Sequence, residues 1–336
     1  MVLSLNKIYL LLIPLLFFFF DKEEQRQYVI HGYAQGTDYS VKYFAVDSVI
    51  SKTEIDSILL VIDSSMSLYK PYSQINKFNN SVEGLRLDKH FRKVMQRSFE
   101  ISKDTKGRFD VTVAPLVQAW GFGAKPISAF PDSLEIKRLL DFTGMKYLTL
   151  KKDYLRKSRP ELKVDLNGIA QGYSVDVLAD HLIGRGIKSF VVEIGGELRV
   201  KGPKPDGTAF RVGIEGPSPL TNAAPVMRHV VALSQGAITT SGNYRKFLQK
   251  GSKKITHLID PKTGYPLENT MISVTVYAKD AMTADGYDNA LMAMDVESAL
   301  AFVEARKELE VYMIYHRSDG SVADTLSKGF KRIIAD

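Results

Sequence analysis

The chain has 336 residues, 45% hydrophobic and 25% charged, the balance of an ordinary globular protein with enough apolar matter for a sizeable core. Its net charge of +7 is spread over short groupings such as Lys151-Lys152 and Lys253-Lys254. Without a basic stripe or interleaved aromatics this is a poor nucleic-acid footprint; it favours an anionic substrate or a membrane surface, or is simply a solvated face. Cysteine is absent, which excludes disulfides, thiolate catalysis, cysteine metal sites and a lipid-bearing cysteine.

Lys7 precedes an apolar run from Ile8 to Phe20 that ends at Asp21-Lys22-Glu23-Glu24. The run has the length of a signal-peptide core and is too short for a standard membrane-spanning helix. An Ala-x-Ala cleavage site is missing, so residues 1–24 read as an export signal or an uncleaved anchor and residues 25–336 as the exported domain.

Tyr28 to Val46 then alternates apolar and polar residues around Gly36-Thr37-Asp38-Tyr39, the pattern of a strand pair or a bulged strand. Ile55, Ile58, Leu59 and Ile62 recur at helical spacing and predict a helix over 52–67. The Pro-, Ser- and Asn-dense stretch 69–80 reads as loop or short turns, and a second helix is expected over 88–105. The only tryptophan, Trp120, lies beside Gly121-Phe122-Gly123. It is either an aromatic wall near a ligand or ordinary core packing. A short helix over 131–142 follows, then strands over 147–151 and 162–166 flanking a turn.

The stretch Asp165-Leu166-Asn167-Gly168-Ile169-Ala170-Gln171-Gly172 reads as a strand end, a turn and the start of a helix over 169–185. Asp165 or Asn167 can cap that helix, whose N-terminus is a natural seat for a phosphate; an ordinary capped helix without a ligand is the alternative. Beyond it, 190–200 is an apolar strand broken at Gly195-Gly196, where a bulge or close backbone approach is expected. Further strands are expected at 212–214, 229–234, 237–244 and 272–278, and a strand with a tight Asp-Pro turn at 257–266. Helices over 280–294 and 296–306 and a strand over 311–315 complete the chain. The strands alternate too much for a buried parallel sheet, so the fold class is α+β with antiparallel sheets and packed helices.

Taken together, DLNGIAQGYSVD (165–176), VEIGGEL (192–198), TTSGNY (239–244), THLIDPKTGYP (256–266) and DAMTADGYDNALMAM (280–294) resemble the ApbE-like FAD:protein FMN transferases. The weaker GRFDVTVAPLVQAWGFG (107–123), Gly36-Thr37 and the Ser73-to-Asn79 segment fit the same family, so the resemblance spans residues 25–336 in order. It implies a T-fold-related architecture and a Mg2+-dependent reaction. FAD is split at its pyrophosphate, FMN is joined to a threonine hydroxyl of an acceptor protein, and AMP is released. The acceptor it implies is a subunit of an envelope redox complex, with the enzyme on the periplasmic side of the inner membrane.

The same resemblance implies site residues. Asp285 is the carboxylate ligand for Mg2+, joined by the backbone carbonyl of Ala170 and by the side chain of Asn289, which stands where the family usually has threonine. Asp285 and Asn289, four apart, share a helix face; Asp288 is a substitute that points elsewhere. The macrodipole alternative for Asp285 is a charge favoured at a helix start. His257 is either a general base on the acceptor hydroxyl or a structural histidine holding a loop carbonyl; Asp260 is a turn cap. The flavin nucleotide is expected against Gly36, Thr37, Asp165, Gly168, Glu193, Gly195, Gly196, Ser241, Gly242 and Tyr244, with Asn79 on the rim. Gln171 replaces a lysine common in the family and removes a positive charge near the phosphates. Backbone N–H groups at the 169 helix start and at Gly195-Gly196 are expected to hold phosphate oxygens. Two other functions use the same residues: a Mg2+-dependent FAD pyrophosphatase giving FMN and AMP, and an envelope FAD-binding protein without turnover.

Overall fold

Alternation over 28–46 produces a hairpin of β1 (Arg26–Ala34) and β2 (Thr37–Ala45). The turn is Gln35-Gly36, with φ of 55° and 82°, so both residues occupy the left-handed region that two-residue hairpin loops require. The structure, a computed structural model, describes residues 24–217, 226–243, 247–250 and 253–335. The expected export segment up to residue 23 and Tyr244 lie outside them. Among the described residues no helix is long and apolar enough to cross a membrane.

β2 pairs with β3 (Ser189–Ile194), and the sheet continues through β4 (Glu197–Lys201), β5 (Gln235–Gly242), β6 (Met271–Ala278), β7 (Leu309–His316) and β8 (Val322–Leu326). Every neighbouring pair is antiparallel, and spatial order follows chain order. The period-2 rule then sorts side chains between two faces. Phe190, Val192 and Ile194 meet helices, whereas Val191 and Phe44 turn to a hairpin of strands Phe210–Gly216 and Val226–Leu233. The helical layer holds α1 (Lys52–Met66), α2 (Lys89–Asp104), α3 (Ala170–Gly184), α4 (Ala281–Met292) and α5 (Val296–Glu304).

Several expectations change. Within 69–80, Gln74–Asn80 is a helix: Ser73 caps it, and burial of Ile75 and Phe78 outweighs the poor propensity of Asn. The run 162–166 pairs with no strand. The partner of Leu148–Lys151 is Tyr154–Lys157, which also pairs with Gly84–Arg86. Leu162, Val164 and Leu166 alternate inward and so mimic a strand, but side chains take up the backbone of Val164 and the Leu162 carbonyl, and local turns take up the Leu162 N–H and the Leu166 carbonyl. Asn79 donates to the Val164 carbonyl (3.0 Å) and accepts from its N–H (2.8 Å). The buried Lys157 ammonium donates to the carbonyls of Leu162 and Pro160 at 3.0 and 2.9 Å. Gly195-Gly196 is a hairpin turn between β3 and β4 rather than a bulge, with φ of 62° and 111°. The strand expected at 257–266 lies earlier, at Lys253–Thr256, and 257–266 is a loop closed by an Ile259–Pro266 bridge. Trp120 is a packing residue. Its Nε1–H donates to the Gly264 carbonyl at 2.8 Å, and its ring packs on Phe130 and Tyr265 beneath that loop.

Candidate active site

The start of α3 and the middle of α4 meet at the helical face of β5, and the site is built there. Gly172 makes the contact possible: a Cβ on it would fall 2.3 Å from the Ala281 carbonyl oxygen and 2.7 Å from the Asp285 Cβ. Neither Asp165 nor Asn167 caps α3. The N-cap is Ile169, with no side-chain bond, because the Asp165 carboxylate is turned back to accept the Asn167 N–H at 2.8 Å. The cap comes from the other helix: Asp285 Oδ2 accepts the Gly172 N–H at 2.8 Å.

This arrangement narrows the expected phosphate seat. The N–H groups of Ile169 and Ala170 donate to the Leu166 carbonyl, and that of Gly172 is held by Asp285. At the β3–β4 turn the Gly195 N–H donates to the Asp38 carbonyl (3.1 Å) and the Gly196 N–H to Glu193 Oε1 (2.8 Å). These donors are already spent on the fold, and Glu193 acts as the clasp of the turn. Gln171 Nε2 donates to the Ile194 carbonyl at 2.9 Å and ties the turn to α3. Gly195 is favoured here by its φ of 62°, and a Cβ would also displace that amide, 2.1 Å away, and crowd Thr37 at 2.9 Å. Asn79 is likewise no rim residue; its amide is committed beneath the site to Val164.

Two cavities open on this framework. One, of about 410 Å³, is lined by Asp165, Gly168, Gly195, Ser241, Gly242, Asp285, Asp288 and Asn289. The other, of about 920 Å³, runs along α1 and the β1–β2 turn past Gly36, Ala170 and Gln171. Asn167 and His257 line both and mark their junction. The His257 ring packs edge-on to Phe122, with centroids 6.2 Å apart. Asp260 caps its turn as expected, accepting the Lys262 N–H at 2.9 Å.

The acidic floor holds one more carboxylate than expected. Asp285 and Asp288 are 3% and 1% exposed. Asp288, three residues from Asp285, lines the same cavity because positions i, i+3 and i+4 share a helix face. Burial pushes the Asp285 carboxyl up to about 7, with the Asp176 charge adding to it. Burial and the charge of Asp285 push Asp288 well above the carboxylate range, against the hydroxyl of Thr239 that donates to it at 2.6 Å. Asn289 is the neutral mediator. Its Nδ2 lies 3.4 Å from Asp285 Oδ1 and 2.9 Å from Asp288 Oδ1, and its Oδ1 accepts from Ser241 at 3.4 Å. The expected amide-oxygen ligand therefore presents its nitrogen to the carboxylates. The Ala170 carbonyl accepts the Ser174 hydroxyl at 2.9 Å.

Hard-oxygen donors, dehydrated and held above their ordinary pKa by burial, fit a divalent cation that neutralises them. Among the described residues no three His, Cys, Asp or Glu side chains converge. Such a sparse set suits Mg2+, which keeps waters and substrate phosphates among its ligands, better than Zn2+. Reading of the sequence missed Arg108, Asp110 and Thr240 on the smaller cavity and Tyr33, Asp63, Tyr69 and Lys70 on the larger. The signal was faint: Arg108 and Asp110 flank Phe109 at the head of an apolar run; in the structure Arg108 Nε is buried without a hydrogen bond.

The described family model named ApbE matches residues 35–313. The chain belongs to the ApbE family. Relatives named FAD:protein FMN transferase match it closely in length. That of Vibrio cholerae (serotype O1) is 38% identical over 91% of this chain and 92% of the relative, and that of Escherichia coli K12 is 34% identical over 91% and 89%. Among solved structures, the flavin transferase ApbE of Vibrio cholerae superposes with a TM-score of 0.83 at 37% identity, covering 92% of this chain and all of the other. The apo flavinyl transferase ApbE of Pseudomonas stutzeri gives 0.83 at 31% identity, covering 93% and 98%. The mixed fold of helices on an antiparallel sheet is thus that of solved ApbE structures.

Proposed function

We propose that the protein transfers the FMN moiety of FAD to a threonine hydroxyl of an acceptor protein, with release of AMP and dependence on Mg2+. The observation that carries this reading is the pair of cavities joined at Asn167 and His257, one of them floored by Asp285 and Asp288. FAD has an aromatic head at each end and a pyrophosphate between them. A two-lobed site with oxygen donors beside its junction accommodates such a substrate. Family membership and the names of the relatives support the same reaction.

Asp285 and the Ala170 carbonyl would hold the Mg2+, with Asn289 after rotation of its amide. When bound there, the ion would supply charge neutralisation at the phosphates. His257 stands at the junction to accept the proton of the threonine hydroxyl as its oxygen bonds to the FMN-side phosphorus. The P–O bond to the AMP-side phosphate breaks, and AMP leaves. Gly36, with open space where a Cβ would stand, lets the backbone approach the nucleotide closely. Export to the periplasmic side of the inner membrane is proposed from Lys7 and the apolar run 8–20, and an envelope redox subunit as acceptor from the family resemblance alone.

The direct test is AMP release from FAD with and without Mg2+. Asp285→Ala is expected to lower metal-dependent AMP release by roughly 10²–10³-fold, the scale for losing a charge-stabilising group. Near-normal release by that variant would remove Asp285 from the mechanism.

A further inference from the structure

Asp176 lies one turn along α3 from Gly172 and is buried, 6% exposed. Its Oδ1 accepts from the Ala281 N–H at 3.0 Å and its Oδ2 from the Met282 N–H at 2.9 Å. These are the first two N–H groups of α4; the third, of Thr283, goes to the N-cap Asp280 at 2.9 Å. The two helices therefore cap each other. Asp285 of α4 holds Gly172 of α3, and Asp176 of α3 holds the start of α4, with Gly172 pressed against Ala281 between them. Arg199 of β4 joins the set, donating to Asp176 Oδ1 at 3.0 Å and to Asp180 at 3.2 Å. One carboxylate thus fixes α4 against both α3 and the strand that follows the Gly195-Gly196 turn.

We propose that Asp176 is a positioning residue for the Asp285 carboxylate. By holding the first turn of α4 it keeps Asp285 Oδ2 on the Gly172 N–H and Oδ1 beside Asn289, which lines the same cavity. It lines neither cavity. This inference rests on the assignment of Asp285 as the Mg2+ ligand made above. Capping bonds that fix two helices reciprocally are coupled, so loosening one loosens the other.

The test titrates the full chain with Mn2+ as probe, following free ion by electron paramagnetic resonance. Asp176→Asn keeps the side-chain volume but replaces one acceptor oxygen with a donor facing an N–H. Its Mn2+ affinity is expected to fall about tenfold, within the range of coupling between linked sites, while metal-free FAD binding stays within about twofold. Arg199→Gln is expected to act in the same direction and less. A purely structural role would lower the melting temperature and leave Mn2+ affinity unchanged, and that result overturns the proposal. Asp285→Asn separates the two layers: Mn2+ binding that survives in it defeats the ligand assignment. If Asp285→Asn loses Mn2+ and Asp176→Asn does not, only the positioning role fails. Amide exchange in the wild-type chain needs no variant to fold. Mg2+ is expected to slow exchange at Ala281 and Met282 together with Gly172, and unaltered exchange at the first two contradicts the coupling.

Discussion

At the scale of single residues, the site works by keeping acid groups where water is scarce. Asp285, raised by burial to about 7, sits well above the value of about 3.9 it has in an unfolded chain. Between those values the folded state retains a proton that the unfolded state has released. Its contribution to stability is therefore present at low pH and lost as pH rises through about 7. The metal-free protein is expected to melt at lower temperature at pH 8 than at pH 5, with Mg2+ restoring more at pH 8, where the carboxylate is ionised and open to a cation. Melts of wild type against Asp285→Asn isolate this group, since the variant has no carboxyl to titrate; equal pH slopes for the two would contradict it. His257 carries a separate expectation. His257→Gln should slow transfer by roughly 10²–10⁴-fold with little change in FAD affinity, as for loss of a general base. A variant that loses FAD binding and keeps its turnover at saturation would make His257 a binding residue instead.

At the scale of elements, the contact between α3 and α4 decides whether the site forms. Gly172→Ala places a methyl group 2.3 Å from the Ala281 carbonyl, and the backbone there cannot yield cheaply. A loss of about 1–3 kcal/mol is expected from overpacking, together with weaker metal binding, by urea melts and Mn2+ titration. Gly184→Ala at the other end of α3 is the control, because open space surrounds that position. There the substitution should stabilise by about 0.5–1 kcal/mol. Equal effects at the two glycines would mean the close approach is unimportant.

The same pair of helices shows what a sequence displays and what it hides. Ile55, Leu59 and Ile62 announce α1 within a residue of its ends because periodicity is local. Likewise the motifs point to Asp285, Gly168, Ser241 and His257, and these line one cavity. Local capping rules point to Asp165 or Asn167 for α3, whereas the true acceptor lies 113 residues away. The strand-like alternation of Leu162, Val164 and Leu166 was real, but only the tertiary positions of Asn79 and Lys157 show that side chains take the place of a partner strand. Arg108 and Thr240 belong to no spacing rule, and the cavity alone gives them a role.

At the scale of the whole molecule, a sheet whose spatial order follows chain order carries one long excursion. Residues 46–188 leave after β2 and return at β3, bringing α1, α2 and α3 onto the face that α4 also covers. This is how Gly36, near the start of the domain, comes to share a pair of joined cavities with Asn289, near its end. The resulting trench separates two lobes by a polar junction, which suits a substrate cut in its middle. The measurement that tests the central claim mixes the full chain with FAD, Mg2+ and a protein or peptide carrying a candidate threonine, and weighs the products by mass spectrometry. The expected result is an acceptor heavier by an FMN phosphoester, with AMP released in equal amount. AMP and free FMN with every acceptor left unmodified would contradict transfer and make the protein a pyrophosphatase.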